Sequence, residues 1–259
     1  MAIALYCRSH GRSKTSGLTL VELMVVIAMT ALLSAIMLPA LSTAKERTRR
    51  AVCKSNLRQN LQVLEMYADA DENQFLPSPA DDKGYYHSII LSDAVFTNLV
   101  DLADGNASIL YCPNIVFNSD PNAVAQHIPS IGYVIGYSYL AGSVASSSKS
   151  PDSIVLPVKM PTTGTSTNEL LADANYWTAS SASSGYFPAQ MKVAPHTATG
   201  AAMVESSSFT VGLPGNSVAS VGAVGGNVGF ADGHVEWRTL PQMQTNAASS
   251  LSDNNYGVW

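Results

Sequence analysis

The stretch from Leu18 to Leu41, LTLVELMVVIAMTALLSAIMLPAL, limits what the rest of the chain can be. Its 24 residues contain one charged side chain, Glu22. As a helix rising about 1.5 Å per residue, the stretch spans about 36 Å, enough to cross a hydrocarbon layer of about 30 Å. A membrane tether near the N-terminus is therefore expected. Glu22 does not fit a plain anchor, because a carboxylate within the apolar span costs about 3 kcal/mol unless a cation, a proton or the interface relieves it. The acid calls for a partner.

Upstream of the span lie Arg8, Arg12 and Lys14, then Gly17, with no acidic residue before Glu22. A basic leader, a Gly and an apolar run with Glu at its fifth position resembles the class III leader of type IV prepilins and type II secretion pseudopilins. The resemblance implies that a prepilin peptidase cuts between Gly17 and Leu18 and that the new amine is methylated. It also implies that Glu22 meets the amine of a neighbouring copy as subunits assemble at an inner-membrane platform. Pro39, near the end of the span, adds to the likeness, and it removes a backbone donor, so a kink or local loosening is expected there. One departure is Leu18, where the family most often has Phe.

Two plainer readings stand beside this one. Ser42-Thr43-Ala44 has the small residues of an ordinary signal-peptide cut, but the apolar core before it exceeds the usual 7 to 15 residues and contains Glu22. A simple signal anchor that never polymerises is the other. Charge also pulls against export of the head, since Lys45, Arg47, Arg49, Arg50, Lys54 and Arg58 follow the span with only Glu46 against them. The positive-inside tendency alone would keep that side cytoplasmic. The leader sets the expectation instead: a single-pass inner-membrane protein with its head in the periplasm or on a filament.

The helix pattern continues past the span and changes character. Cys53, Leu57, Leu61, Leu64 and Ala68 share one face, while Arg58, Gln62, Glu65 and Asp69 share another. One long helix ending near residues 71–73 is expected, with its apolar stripe against a head. The chain thus divides into a leader (1–17), a membrane half (18–41) and an amphipathic half (42–72) of one helix, and a head (73–259). Loss of the leader removes three of 14 basic residues and no acid, leaving 11 against 19. An acidic head does not suit nucleic acid. The basic cluster beside the span suits lipid head groups or the carboxylates of neighbouring subunits.

Beyond the helix, strand-like runs at 131–140, 153–158, 169–172, 201–204 and 209–211 alternate with Ser-, Gly- and Pro-rich loops. The expected fold class is α+β, a pilin-like spine packed on an antiparallel sheet. Near the C-terminus, Phe230-Ala231-Asp232-Gly233-His234-Val235 reads as a hairpin with a type I′ turn at Asp232-Gly233. That turn would pair Phe230 with Val235 and Val228 with Trp237, placing all four apolar side chains on one face. The outward His234 and Glu236, with Asp232, are read as the polar outer side of a surface hairpin and not as a metal site.

The segment from Arg50 to Gln59, Leu110-Tyr111-Cys112-Pro113 and the Asp-Gly-His triplet resemble a large pilin-like family ending in that triplet. The family's His ten residues before the Asp is replaced here by Gly222, and His196, the nearest His upstream, receives no role. Of three cysteines Cys7 lies in the leader, so Cys53 and Cys112 remain, either as one disulfide or as two buried thiols. A Cys53–Cys112 bond would staple the first loop onto the spine. Asp69 to Asn73 begins like an EF-hand but has Gln74 where Gly is needed and Ala80 where Glu is needed. No phosphate loop, nucleophile elbow, HExxH or CxxC occurs, so no cofactor, metal or enzymatic activity is expected.

Overall fold

The computed structural model describes residues 19–72, 74–76, 87–115, 126–129, 132–141, 168–178, 192–198, 200, 202–204, 218–247 and 255–259. The chain comprises two units, Met1–Leu41 and Ser42–Trp259. Gly17, Leu18 and the strand expectations at 153–158 and 209–211 lie outside the described residues.

The first element, α1, runs from Leu20 to Ala70, through Pro39, as one 51-residue helix. In the first unit its apolar side chains are exposed, including Leu20, Leu32, Ile36 and Leu38. Among the described residues α1 is the one helix long and apolar enough to cross a membrane. In the second unit the same helix becomes amphipathic. Cys53, Leu57, Leu61, Leu64 and Ala68 are each no more than 3% exposed, as the spacing requires. Burying each leucine contributes about 1.5–3 kcal/mol, so this stripe fixes the spine to the head more firmly than helix propensity could.

Twelve strands are present among the described residues, all paired antiparallel. The smallest sheet joins β1 (Ile90–Leu91), β2 (Gln126–Ile128) and β3 (Gly132–Val134) in the order β1-β3-β2. A second joins β4 (Tyr137–Tyr139), β5 (Glu169–Asp173), β9 (Gly225–Phe230) and β10 (Val235–Thr239) in the order β10-β9-β5-β4. The third has five strands: β6 (Tyr176–Thr178), β7 (Lys192–Ala194), β8 (Ala202–Val204), β11 (Thr245–Ala247) and β12 (Asn255–Val258), ordered β11-β12-β6-β7-β8. A short helix, α2 (Asp93–Leu102), begins at Ser92, whose hydroxyl accepts from Val95 N at 3.4 Å. Its buried Val95 and Leu99 join the α1 stripe, with Ile109, Leu110, Tyr137, Leu171 and Val235, in the main core. The architecture is α+β: a long N-terminal apolar helix followed by antiparallel sheets.

Two expectations need correction. The run at 131–140 is not one strand. Ile135 N donates to Ile89 O at 2.9 Å and Gly136 N to Leu110 O at 3.0 Å. These bonds divert the chain between β3 and β4, which enter different sheets. The β9–β10 hairpin also has a different register. Gly233 N donates to Phe230 O at 2.9 Å and Phe230 N to His234 O at 3.0 Å, with Gly233 alone in the turn at positive φ, +82°. That is a three-residue loop with a left-handed Gly, not the two-residue type I′ form. Val235 therefore opposes Gly229 and Trp237 opposes Asn227.

The apolar residues consequently divide between the two faces. Val235 faces the main core, while Val228 and Phe230 pack with Leu140, Ala172 and Trp259. Every residue of β9 is buried, as befits a strand covered on both sides. A Cβ at Gly229 would lie 2.9 Å from Leu61 Cδ1, so the absence of a side chain there lets the spine approach β9.

Candidate functional site

At the start of α1, Glu22 already has partners within its own chain. Thr19 N and Thr19 Oγ1 each donate to Glu22 Oε2 at 2.8 Å, and Glu22 N donates back to Thr19 Oγ1 at 3.3 Å. This is a capping box, legible in Thr19-x-x-Glu22 though not read there. It satisfies hydrogen-bonding capacity with neutral donors and leaves the negative charge uncompensated.

A second constellation lies inside the head and gathers five parts of the chain. The amphipathic half of α1 contributes Glu46, Arg50 and Cys53, and the segment after the 3-10 turn Ala107–Leu110 contributes Cys112 and Asn114. Asp173 ends β5, His196 lies two residues beyond β7, and Asn227 sits in β9. The Cys53 and Cys112 sulfurs approach to 2.6 Å as free thiols. Cys53, Cys112, Asp173 and His196 are all buried, and one potential ligand atom from each falls within 4.8 Å of the others.

His196 is the hub. Its Nδ1 lies 2.8 Å from Glu46 Oε1, its Nε2 lies 3.2 Å from Asp173 Oδ2, and Cys112 Sγ is 3.9 Å from the same Nε2. Burial by itself would lower the imidazole pKa, but the charge and hydrogen bond of Asp173 outweigh it and push it up to about 10. Asp173 Oδ2 accepts from Asn227 N at 2.6 Å and Asn227 Nδ2 at 2.9 Å, whereas Oδ1 is buried with no hydrogen-bond partner.

Glu46 is only 2% exposed yet well compensated. Its Oε1 accepts from Arg50 Nε at 2.9 Å, and its Oε2 accepts from Asn114 Nδ2 at 2.8 Å. Burial would raise its pKa, but these bonds together with His196 hold it below the ordinary glutamate value. Arg50 in turn donates to Thr197 O at 3.0 Å and lies 4.4 Å above the Trp237 ring. Burial dominates at Cys53 and pushes its thiol well up, so a neutral thiol is the favoured form.

The structure thus brings Cys53 next to Cys112 and leaves Asp232 and Gly233 at the tip of the β9–β10 hairpin, outside that cluster. Asp232 there pairs with the exposed His234. Sequence reading overlooked Glu46, Asp173 and Asn227. Glu46 stood out only as the one acid in a basic run, and Asp173 follows directly on the strand-like run at 169–172 with nothing in its neighbours to single it out. His196 holds a role that spacing could not show: Val224 N donates to His196 O at 3.1 Å, which places this His beside the region of Gly222.

Residues 12–38 match the prokaryotic N-terminal methylation motif, a span that includes Gly17, Leu18 and Glu22. This motif is that of the prepilin-type leaders of type IV pilins and pseudopilins, to which the segment is similar. No curated protein matches the chain, and no solved structure does. The motif and the apolar helix together support a pilin-like or pseudopilin-like precursor and fit anchorage in the inner membrane.

Proposed function

We propose that the chain is a structural, non-catalytic subunit of a type IV pilus-like or type II secretion pseudopilus filament. The leader match across Gly17 and Glu22 is the observation that carries this reading. A prepilin peptidase cuts after Gly17, the amine of Leu18 is methylated, and the subunit joins other copies or related subunits at an inner-membrane platform. The apolar half of α1 moves from lipid into a bundle of like helices. Glu22 then selects its neighbour by pairing with a new terminal ammonium, because an ion pair in low dielectric relieves a charge that the Thr19 hydroxyl and amide only partly satisfy. The head forms the outer surface, in the periplasm or on the filament.

Intact mass and N-terminal sequencing of the protein from its native envelope test the first step. A chain beginning at methylated Leu18 is expected. A chain retaining Met1 would refute processing, and one beginning at Lys45 would identify an ordinary signal peptide. Glu22→Gln tests the second step cleanly, since an amide oxygen can still accept from Thr19 while the charge is gone. Processed Glu22→Gln protein should remain outside filaments, and normal assembly would refute charge selection.

A further inference from the structure

We propose that Cys53, Cys112, Asp173 and His196 together bind one zinc-class divalent ion inside the head. The four side chains supply two sulfurs, an imidazole nitrogen and a carboxylate oxygen, a donor set suited to a borderline-soft ion. Calcium and magnesium take oxygen shells, so two sulfurs exclude them.

What surrounds these four residues has the form of a metal site's outer shell. A ligating His typically donates its remaining ring N–H to a carboxylate, which fixes tautomer and orientation. Here Glu46 Oε1 receives His196 Nδ1 at 2.8 Å, and Glu46 is itself held by Arg50 and Asn114. That leaves Nε2 directed at Cys112 and Asp173. Asp173 is restrained in the same way: Asn227 donates twice to Oδ2, while the buried Oδ1 lacks any hydrogen-bond partner and is the oxygen available to an ion.

Distances show what binding must change. Around a tetrahedral ion with metal–sulfur bonds of about 2.3 Å and metal–nitrogen or metal–oxygen bonds of about 2.0–2.1 Å, neighbouring donors lie about 3.3–3.8 Å apart. The 3.9 Å separation of His196 Nε2 from Cys112 Sγ is already close to that range, and the four residues offer donor atoms that all lie within 4.8 Å of one another. The two sulfurs, at 2.6 Å, must separate by about 1 Å. On binding, both thiol protons and the His196 Nε2 proton pass to solvent, and the ion takes their places. A Cys53–Cys112 disulfide is the competing outcome. It would account for the sulfurs but not for the unpartnered Oδ1 or for the Glu46 hold on His196.

The test uses the full chain in detergent, purified with zinc present and without reductant. Elemental analysis should find one zinc per chain, and Cys53 and Cys112 should both titrate as thiols once the protein is unfolded in chelator. Cobalt(II) exchanged into the site should show thiolate-to-cobalt charge-transfer absorption. Glu46→Gln, which keeps the ligands and preserves the volume of the side chain, should weaken zinc affinity by about 10- to 100-fold. A peptide map showing Cys53 bonded to Cys112 in metal-free protein would overturn the proposal. So would zinc content unchanged in a folded Cys53→Ser/Cys112→Ser variant, or zinc affinity unchanged in Glu46→Gln.

Discussion

The contact between Leu61 of α1 and Gly229 of β9 predicts a reversal of sign. Leu61 is 3% exposed, and a methyl at position 229 would fall 2.9 Å from its Cδ1, 3.5 Å from Cγ and 3.6 Å from Cδ2. Favourable carbon contacts begin at about 3.5 Å, so Gly229→Ala overpacks this point and costs about 1–3 kcal/mol. Part is recovered because Ala in a strand loses less backbone entropy than Gly, by about 0.5–1 kcal/mol. The net effect in the native background is a destabilisation of up to about 2.5 kcal/mol.

Leu61→Ala removes three carbons from the core and should cost about 2–5 kcal/mol through lost transfer energy and a residual cavity. In that background the clash at residue 229 has gone and its methyl fills part of the void. Gly229→Ala should then be neutral or stabilising, with a coupling energy of about 1–3 kcal/mol. Urea unfolding in detergent, followed by tryptophan fluorescence, measures all four corners of the cycle, because Trp177, Trp237 and Trp259 all belong to the second unit. Midpoints are comparable only if the denaturant slopes agree. Additivity within about 0.5 kcal/mol would refute the idea that an absent side chain in β9 seats the spine.

Three further outcomes follow from the geometry. Asn60→Ala should destabilise the head by about 1–3 kcal/mol in the same urea assay, because Asn60 Nδ2 donates to the carbonyl of Ile109 at 2.6 Å in a buried setting. Gly233→Ala should cost about 1–2 kcal/mol from backbone strain alone, since φ is +82° and nothing lies within 4 Å of the added carbon, and Gly233→Asn should cost less. Slight desolvation would raise the Asp232 pKa, but hydrogen bonds from the His234 backbone and ring hold it below the ordinary aspartate value. The hairpin tip should therefore have its full hydrogen-exchange protection above the ordinary aspartate pKa and lose this contribution progressively as pH falls from there through the lowered value. A carboxyl titration by NMR at or above the ordinary value would contradict this.

Local pattern determined much of this protein. The uninterrupted apolar run, the change to a 3.6-residue stripe at Cys53, Leu57, Leu61, Leu64 and Ala68, and the leader around Gly17 all depend on neighbours a few residues away, so they are legible in one dimension. Hairpin register was less so: Asp232-Gly233 marks a turn, but a turn of two or three residues moves every following side chain to the other face. The long-range bonds of Ile135 and Gly136 likewise split a run that reads as one strand.

The buried polar site belongs to tertiary structure alone. Glu46 and His196 stand 150 positions apart, and Asn227 reaches Asp173 across 54. No periodicity links such residues, because each is tolerable in the interior only through the partners that folding brings to it.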